Sequence, residues 1–186
     1  MQKSIPVTST ETGWVADPAH SEMAFTVKHL MISRVHGTFR KFSAEIEGDD
    51  FSTAKVSVRV DADSVFTNDE KRDAHLKGPD FFDAERHPEI TFESDSFRQK
   101  SDHLYELSGR LGMKGITHHV KMEVEYLGTQ KDPWGAEKAA FNVRGKVDRK
   151  DWNLKWNAPL EGGGFLVGDD VMINAEIQFV KKTPLR

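Results

Sequence analysis

Three side chains in the middle of the sequence, Arg72, His75 and Lys77, could together bind an anion. Arginine offers paired donors to a phosphate and lysine offers a compact positive charge, so the three are candidates for holding a diphosphate or another polar headgroup. The alternative is structural, with Arg72 paired to a nearby aspartate so that it fixes the surrounding segment. Both interpretations stay open for Arg72 and His75.

Eight histidines raise the question of a metal site. His118 and His119 are adjacent, so they point to opposite sides if they lie on a strand. The HExxH and CxxC spacings are missing, and no pair of histidines has the spacing that fixes two ligands on one helix face. We therefore expect no metal ion and no cofactor. We expect His29 to end an inward-facing row as a hydrogen-bonded polar cap.

Motifs of covalent catalysis and of nucleotide binding are also missing from the sequence. GxSxG, the P-loop and a GxGxxG that opens a helix do not occur. The three glycines at 162–164 lack a strand-to-helix context, so a flexible hairpin tip is the better interpretation. The sequence favours a protein that is not an enzyme.

The composition is that of an ordinary globular protein. With 186 residues the chain is long enough for one domain with a sizeable core. Its net charge is −4 and its lysines and arginines are dispersed, which argues against a nucleic-acid partner because phosphate contacts need a basic surface. Cysteine is absent, so disulfides and thiolate chemistry are excluded.

The beginning of the sequence carries no apolar segment. Residues 1–13 are polar and predict a flexible leader, followed by one domain over residues 14–182. The leader lacks the apolar region of a secretory signal, and no run approaches the ~20 apolar residues of a membrane span. We expect a cytoplasmic protein, or a periplasmic or secreted one if a signal was removed, with no membrane-spanning segment.

Apolar and polar residues alternate over most of the chain, which is typical of strands with one buried face. Near the N-terminus, for example, Met23, Phe25 and Val27 share a face. Residues 35–47 predict one strand with a bulge near residues 40–41, because the apolar positions change phase there. The other strands are predicted at residues 21–30, 55–60, from 90 onward, 105–111, 120–126, 141–147 and 171–179.

These elements predict an all-β fold, a single antiparallel barrel of eight strands. An open sheet of that size would curl, and eight strands close into a barrel wide enough for one slim ligand. A β-sandwich is the competing architecture. One short helix is predicted around residues 69–76 with Asn68 as its N-cap. Residues 72–92 follow no regular period and predict a structured connection that closes the barrel and shapes its entrance.

Separated motifs follow one another from Trp14 to about residue 180. They are Trp14-x-x-Asp17-x-x-His20-Ser21-x-x-x-Phe25-x-x-x-His29-Leu30, Gly37-x-Phe39, Arg72-Asp73-x-His75-Leu76-x-x-x-Asp80-Phe81-Phe82-Asp83, Pro88-x-Ile90-x-Phe92, Gly109-x-Leu111-x-x-x-Gly115-Ile116-Thr117, Arg149-x-Asp151-Trp152-x-Leu154-x-Trp156-Asn157, and Gly163-Gly164 to Asp170-Val171. With these motifs, in this order, the sequence resembles the YceI-like family. It departs from the family pattern at Gly112, where threonine is expected.

The resemblance implies a lipocalin-like barrel whose interior holds a long isoprenoid lipid, such as a polyprenyl diphosphate or an isoprenoid quinone, for transport, storage or sequestration. Two alternatives remain: a lipid-modifying enzyme that uses the barrel histidines His29 and His75, and a stress-related structural module with a filled core. A homodimer is allowed, because the outer wall of a barrel can pair with another copy. The candidates for contact with the lipid tail are Met23, Phe25, Val27, His29, Phe39, Phe42, Val58, Phe81, Phe82, Phe92, Phe141, Ile173 and Ile177, with Arg72, His75 and Lys77 as headgroup candidates.

Twelve phenylalanines are many for this length, and they support both a filled and a hollow interior. A single phenylalanine is best interpreted as a core residue. A barrel rich in aromatic and aliphatic side chains can instead enclose a slender apolar guest. Each buried methylene contributes about 0.8 kcal/mol, so a five-carbon isoprene unit gains about 3 kcal/mol before the entropy of binding is subtracted.

Overall fold

Eleven β-strands, one α-helix and three short 3-10 helices make up residues 12–183, the part of the chain that the computed structural model describes. The α-helix α1 is Glu70–Lys77. The 3-10 helices are Pro18–His20, Ala62–Ser64 and Arg149–Trp152. The strands are β1 (Gly13–Ala16), β2 (Glu22–His29), β3 (Ser33–Phe39), β4 (Phe42–Glu47), β5 (Lys55–Asp61), β6 (Val65–Phe66), β7 (Glu89–Ser101), β8 (Leu104–Met113), β9 (Ile116–Lys131), β10 (Glu137–Asp148) and β11 (Val167–Lys181).

Eight of these strands form a closed ring. Their order is β1-β4-β5-β7-β8-β9-β10-β11, and β11 pairs back onto β1, with every pairing antiparallel. Alternation places one face of each strand inside the ring, where the apolar side chains form a single core cluster. The prediction of an eight-stranded antiparallel barrel with one short helix is confirmed, and the sandwich is excluded by the ring closure.

The three remaining strands extend the wall at one end. The long strand β11 pairs with β1 through its last residues and with β2 through its first ones, so β1 and β2 follow one another along the same side. Between them Asp17 accepts a hydrogen bond from the backbone N–H of Ala19 and starts the turn Pro18–His20. Strand β3 pairs with β2 and then with β6. The wall beyond β6 is continued by α1 and the residues that follow it.

The prediction of one bulged strand over residues 35–47 is wrong. Strand β3 ends at Phe39 and pairs with β6, whereas β4 begins at Phe42 and pairs with β5 and β1. The two residues between these strands both hydrogen-bond to Ser64: Arg40 N–H donates to its carbonyl at 3.1 Å, and Lys41 N–H donates to its Oγ at 3.0 Å. The phase change in the sequence therefore marks a change of partner strand.

The N-cap of α1 is Asp69 and not Asn68, which corrects the prediction by one residue. The Asp69 carboxylate accepts a hydrogen bond from the backbone N–H of Arg72 at 3.0 Å. Asn68 has a left-handed backbone with φ of 62°, a conformation that asparagine tolerates better than most residues. The helix is otherwise where the sequence placed it.

The predicted leader over residues 1–13 falls mostly outside the described residues. Gly13 already belongs to β1, where it pairs with Glu47 of β4. The folded domain thus includes the last residue of the predicted leader. Within residues 12–183 no helix has the length and apolar character needed to cross a membrane.

Candidate ligand-binding site

The barrel encloses a cavity of about 560 Å³. This volume lies within the range of about 300–1,000 Å³ that is common for small-molecule sites. Inward-facing aliphatic and aromatic side chains from the strands of the ring line it over most of its surface. The charged and imidazole groups on its lining are confined to Lys28, His29, Asp69, Lys71, Arg72, His75 and Arg149.

One end of the barrel is filled by aromatic rings, and we call it the closed end. Phe51, from the connection between β4 and β5, contacts Trp14, Tyr126 and Phe141, with the Phe141 ring centroid 5.2 Å away. Phe141 also contacts Phe179 at 5.8 Å. Rings at these distances pack against one another, so they fill the interior at this end.

The opposite end is the mouth, bounded by α1, the β2–β3 turn at residues 30–32 and the loop at residues 153–166. The charged lining groups lie at this end: Lys28 and His29 are the last two residues of β2, while Lys71, Arg72 and His75 belong to α1. The cavity is therefore apolar in its depth and polar at its entrance. This arrangement suits a ligand with a long apolar part and a polar head.

A row of phenylalanine rings forms the wall of the mouth beneath the helix. Phe25 lies 5.6 Å from Phe39, and Phe39 lies 5.5 Å from Phe82 in an edge-on contact. Phe25 is paired across the sheet with Gly37, and an added Cβ at Gly37 would overlap the Phe25 ring. The glycine thus allows the ring to lie against β3, which keeps it out of the centre of the cavity.

A second aromatic group joins α1 to the loop at residues 153–166. The His75 ring lies 4.7 Å from Trp156 and 5.0 Å from Phe81, edge-on in both contacts. Its Nε2 lies 2.8 Å from a carboxylate oxygen of Asp80. His75 is therefore held in place at the rim by Asp80 and two rings, with its imidazole on the cavity lining.

Arg72 fixes the start of the helix to the end of β6. Its Nε donates to Thr67 Oγ1 at 2.8 Å and its Nη2 donates to the Thr67 carbonyl at 2.7 Å. Asp73 accepts from the backbone N–H of the same threonine at 2.8 Å. These contacts support the structural interpretation of Arg72, but its partner is Thr67 and not an aspartate. Its Nη1 has no hydrogen-bond partner within residues 12–183, and Arg72 also lines the cavity.

Arg149 holds the loop at residues 153–166 against the barrel from inside. Only 4% exposed, it donates to the carbonyls of Gly168 at 2.8 Å, Trp156 at 2.9 Å and Leu154 at 2.5 Å. Burial lowers the pKa of its guanidinium, and the nearby Asp169 carboxylate opposes this shift. The group stays protonated at neutral pH because an arginine pKa starts so high.

The structure brings nearly all the predicted tail-contact residues onto one cavity. Phe42 is the exception: it lies opposite Val60 on the inner face but packs against the core and does not line the cavity. Of the headgroup candidates, Lys77 lies away from the mouth, 3.7 Å from Asp63. Five residues after Arg72 it is rotated by about 140° around the helix, which turns it to another side. His29 lines the mouth, but its ring has no hydrogen bond within residues 12–183, contrary to expectation.

Sequence reasoning missed Lys28, Lys71 and Arg149 as lining residues. Alternation puts Lys28 on the outer face of β2, but the pairing of β11 with β2 shifts register between Val167 and Val171, opposite this residue. Such a bulge locally opens the wall. No sequence signal predicted it. Lys71 could have been found, since it directly precedes Arg72 in the first turn of the predicted helix.

The histidines do not converge. His118 lies 2.8 Å from the Asp151 carbonyl, and His119 lies 3.4 Å from the Asp95 carboxylate, on the two faces of β9. Across residues 12–183, no three His, Cys, Asp or Glu side chains come close enough to hold a metal ion.

Comparison with known proteins places this barrel in a family. The family model described as the YceI-like domain matches residues 14–179. The chain belongs to the YceI-like family. A UPF0312 protein of Staphylococcus aureus strain N315 is 37% identical over 171 residues, which cover 90% of this chain and 97% of that protein.

Two solved structures show the same YceI-like fold. BcnA of Burkholderia cenocepacia has a TM-score of 0.77 at 22% identity, with 88% of this chain and 98% of that one covered. A domain from Saccharophagus degradans, described as polyisoprenoid binding, has a TM-score of 0.65 at 13% identity, with 91% and 98% covered. The YceI-like match extends from β1 into β11, so the whole ring around the cavity belongs to the family domain.

Proposed function

We propose that this protein holds a long isoprenoid lipid, with the tail in the barrel and the polar head at the mouth. The observation that carries the proposal is the division of the cavity into an apolar depth and a charged entrance. The description of the Saccharophagus degradans domain as polyisoprenoid binding supports the same ligand class. The protein would then serve transport, storage or sequestration, without catalysis.

Burial of the tail supplies most of the binding free energy in this proposal. An isoprene unit transferred from water to the cavity gains about 3 kcal/mol at about 0.8 kcal/mol per methylene. A few units offset the loss of translational freedom, which costs about 4–15 kcal/mol. Affinity should therefore rise with each added unit until the 560 Å³ cavity is full.

The mouth supports a phosphorylated headgroup more than a quinone. Lys28 and Lys71 line the entrance, and neither forms an ion pair within the described part of the chain. Arg72, the residue after Lys71, adds an Nη1 without a hydrogen-bond partner within residues 12–183. A diphosphate would supply the acceptors that these groups lack, whereas a quinone would leave them to water.

The alternatives receive less support from the geometry. A lipid-modifying enzyme needs polar groups that converge inside the barrel, but His29 and His75 lie at the rim, and His75 is already engaged by Asp80. A structural module with a filled core needs a dry, packed interior, in contrast to the cavity described above.

The decisive experiment is organic extraction of the purified protein followed by mass spectrometry of the extract. Recovery of a polyprenyl lipid is the expected result. A matched pair of variants on β11 provides the control: Ala175→Phe adds a ring on the cavity side, whereas Glu176→Phe adds the same ring on the exposed outer face. Only Ala175→Phe should reduce the recovered lipid.

A titration series then tests the mechanism and the headgroup. Polyprenyl diphosphates of increasing length, and quinones with the same tails, are added to delipidated protein. Affinity that does not depend on tail length, or failure to bind any member together with an empty extract, would refute the proposal. Tighter binding of the diphosphate, weakened by Lys71→Ala, would support the phosphorylated headgroup.

A further inference from the structure

Four exposed apolar side chains lie together beside the mouth, at Leu30, Met31, Ile32 and Phe165, and we call them the apolar tip. Their exposed fractions are 40%, 62%, 88% and 57%. The first three form the β2–β3 turn, and Phe165 follows the three glycines of the loop at residues 153–166. Exposed apolar groups that occur singly need no explanation, but a contiguous group marks an interaction surface.

Two contacts show that the turn and the loop form one prominence. Leu30 N–H donates to the Leu166 carbonyl at 2.9 Å. On the other side of Phe165, a Cβ built on Gly164 would lie 3.4 Å from Met31 Cγ and Sδ. Phe165 is therefore held between two residues that both adjoin the β2–β3 turn.

The backbone of the turn is strained for the residues it carries. Leu30 has φ of 56° and Met31 has φ of 64°, a left-handed conformation that costs free energy for large side chains. Glycine or asparagine would relieve this strain, and polar residues would remove the exposed apolar surface. The turn instead has large apolar residues at left-handed positions that are exposed to water, and such local strain is typical of a segment that serves an interaction.

The charges beside the tip point to an anionic partner. Lys28 and Arg34 lie directly opposite one another across β2 and β3, an arrangement in which like charges repel. Neither forms an ion pair within residues 12–183, and both are exposed. Lys71 adds a third exposed cation at the same mouth. The acidic side chains at this end include Glu161 in the glycine loop, Asp69 beside Lys71, and two aspartates of β11. Those two are already paired, Asp169 with Lys150 and Asp170 with Lys146.

We propose that the apolar tip docks the barrel on the surface of an anionic lipid bilayer, with its mouth facing the membrane. Apolar side chains enter the boundary between headgroups and acyl chains, while basic residues contact anionic headgroups. His29 and Leu166, the neighbours of the tip in sequence, line the cavity, so a lipid could pass from the bilayer into the barrel without crossing water. The inference rests on the proposed function, since docking would serve the uptake or delivery of the lipid. It concerns the apolar tip on the outside of the barrel and not the cavity.

The absence of cysteine from the sequence permits a direct test with single labels. Ile32→Cys and Trp134→Cys each receive the environment-sensitive fluorophore NBD. Both parent side chains are 88% exposed, but Trp134 lies in the turn between β9 and β10 at the opposite end of the barrel. The labelled proteins are mixed with vesicles of phosphatidylcholine alone, and with vesicles of equimolar phosphatidylcholine and phosphatidylglycerol.

The expected result is a blue shift and a rise in NBD emission at position 32 on the anionic vesicles, with no change at position 134. In unlabelled protein, Ile32→Ser should lower the vesicle partition coefficient about tenfold, because the isoleucine side chain no longer enters the bilayer. Trp134→Ser should leave the partition coefficient unchanged. Arg34→Glu should weaken binding to the anionic vesicles, and Glu161→Gln should strengthen it. Circular dichroism checks that each variant is folded.

Failure to bind either kind of vesicle would overturn the inference, and so would an equal response at positions 32 and 134. Capture of a protein partner through the tip, without vesicle binding, would also overturn it. The vesicles contain no isoprenoid lipid, so the result is independent of the extraction experiment. Vesicle binding together with an empty extract and no binding of any added polyprenyl lipid would support the docking surface and refute the proposed function. Recovery of a polyprenyl lipid without vesicle binding would support the proposed function and refute the docking surface.

Discussion

The two ends of the barrel are built from the same strands but are stabilised in different ways. At the closed end, interlocked rings centred on Phe141 fill the interior, and short turns join the strands. At the mouth, a helix and a long loop are held by polar groups, chiefly Arg72 and Arg149. One end thus depends on close packing and the other on individual hydrogen bonds, so we expect the mouth to open locally more readily than the closed end.

The largest difference between the two ends should appear on removal of a ring. Phe141→Ala should lower the free energy of unfolding by about 3–5 kcal/mol, because it leaves a cavity amid tightly packed aromatic neighbours. Urea denaturation measures the loss. If Phe141→Ala cost less than 1 kcal/mol, the closed end would not be the packed half of the molecule.

The second effect concerns the polar attachment of the mouth. Arg149→Lys should cost about 2–3 kcal/mol, since a lysine cannot reach several buried carbonyls at once and leaves some of them unpaired. Hydrogen exchange should increase in residues 153–166 and stay unchanged at the closed end. The neighbouring exposed Lys150 provides the control, and Lys150→Ala should stay within about 0.5 kcal/mol of the parent.

A smaller effect on stability, with a larger one on exchange of ligand, is expected at the rim. The Phe82 ring is only half-buried and contacts Phe39, so Phe82→Ala should cost about 1–2 kcal/mol. Release of a bound polyprenyl lipid, followed by stopped-flow transfer to an acceptor vesicle, should become faster. Release that is unchanged in Phe82→Ala but faster in Phe141→Ala would reverse the assignment of the two ends.

The smallest effect is a response to acid that differs between the ends. The backbone N–H of Arg72 lowers the pKa of Asp69 at the mouth, and the backbone N–H of Ala136 lowers that of Asp132 at the closed end. A carboxylate with a lowered folded-state pKa stabilises the fold above its unfolded-state value of about 3.9, and this contribution is lost as pH falls through the lower folded-state pKa.

Below a pH of about 4, ligand release should therefore become faster as the cap of α1 is protonated. Asp69→Asn keeps a capping oxygen that does not titrate, so it should remove this acid response. Asp132→Asn should leave the response unchanged, because its turn lies far from the mouth. NMR shifts of residues 70–77 over the same pH range would show whether the helix is the part that loosens.

The sequence predicted the fold well where alternation was regular, and the site less well where the wall is irregular. The inward rows around Val58 and Ile173 follow from period two alone. The split between β3 and β4 could not be predicted, because it depends on which strand each half pairs with and not on local preference. Lys28 reaches the mouth only because β11 bulges opposite it, a property of the pair of strands. Lys77 was misplaced because the exact helical phase was unknown.

The seam between β1 and β11 has a consequence for how the chain acquires its structure. Trp14 pairs with Lys181, so the ring cannot close until the residues up to Lys181 have left the ribosome. Until β11 is available, β2 lacks this partner strand, and the hairpin of β2 and β3 has an unpaired edge. Pairings between such distant residues make folding slow, and an unpaired edge invites association with other chains. Among the strands of residues 12–183, β11 is thus both the last to be synthesised and the one that completes the barrel.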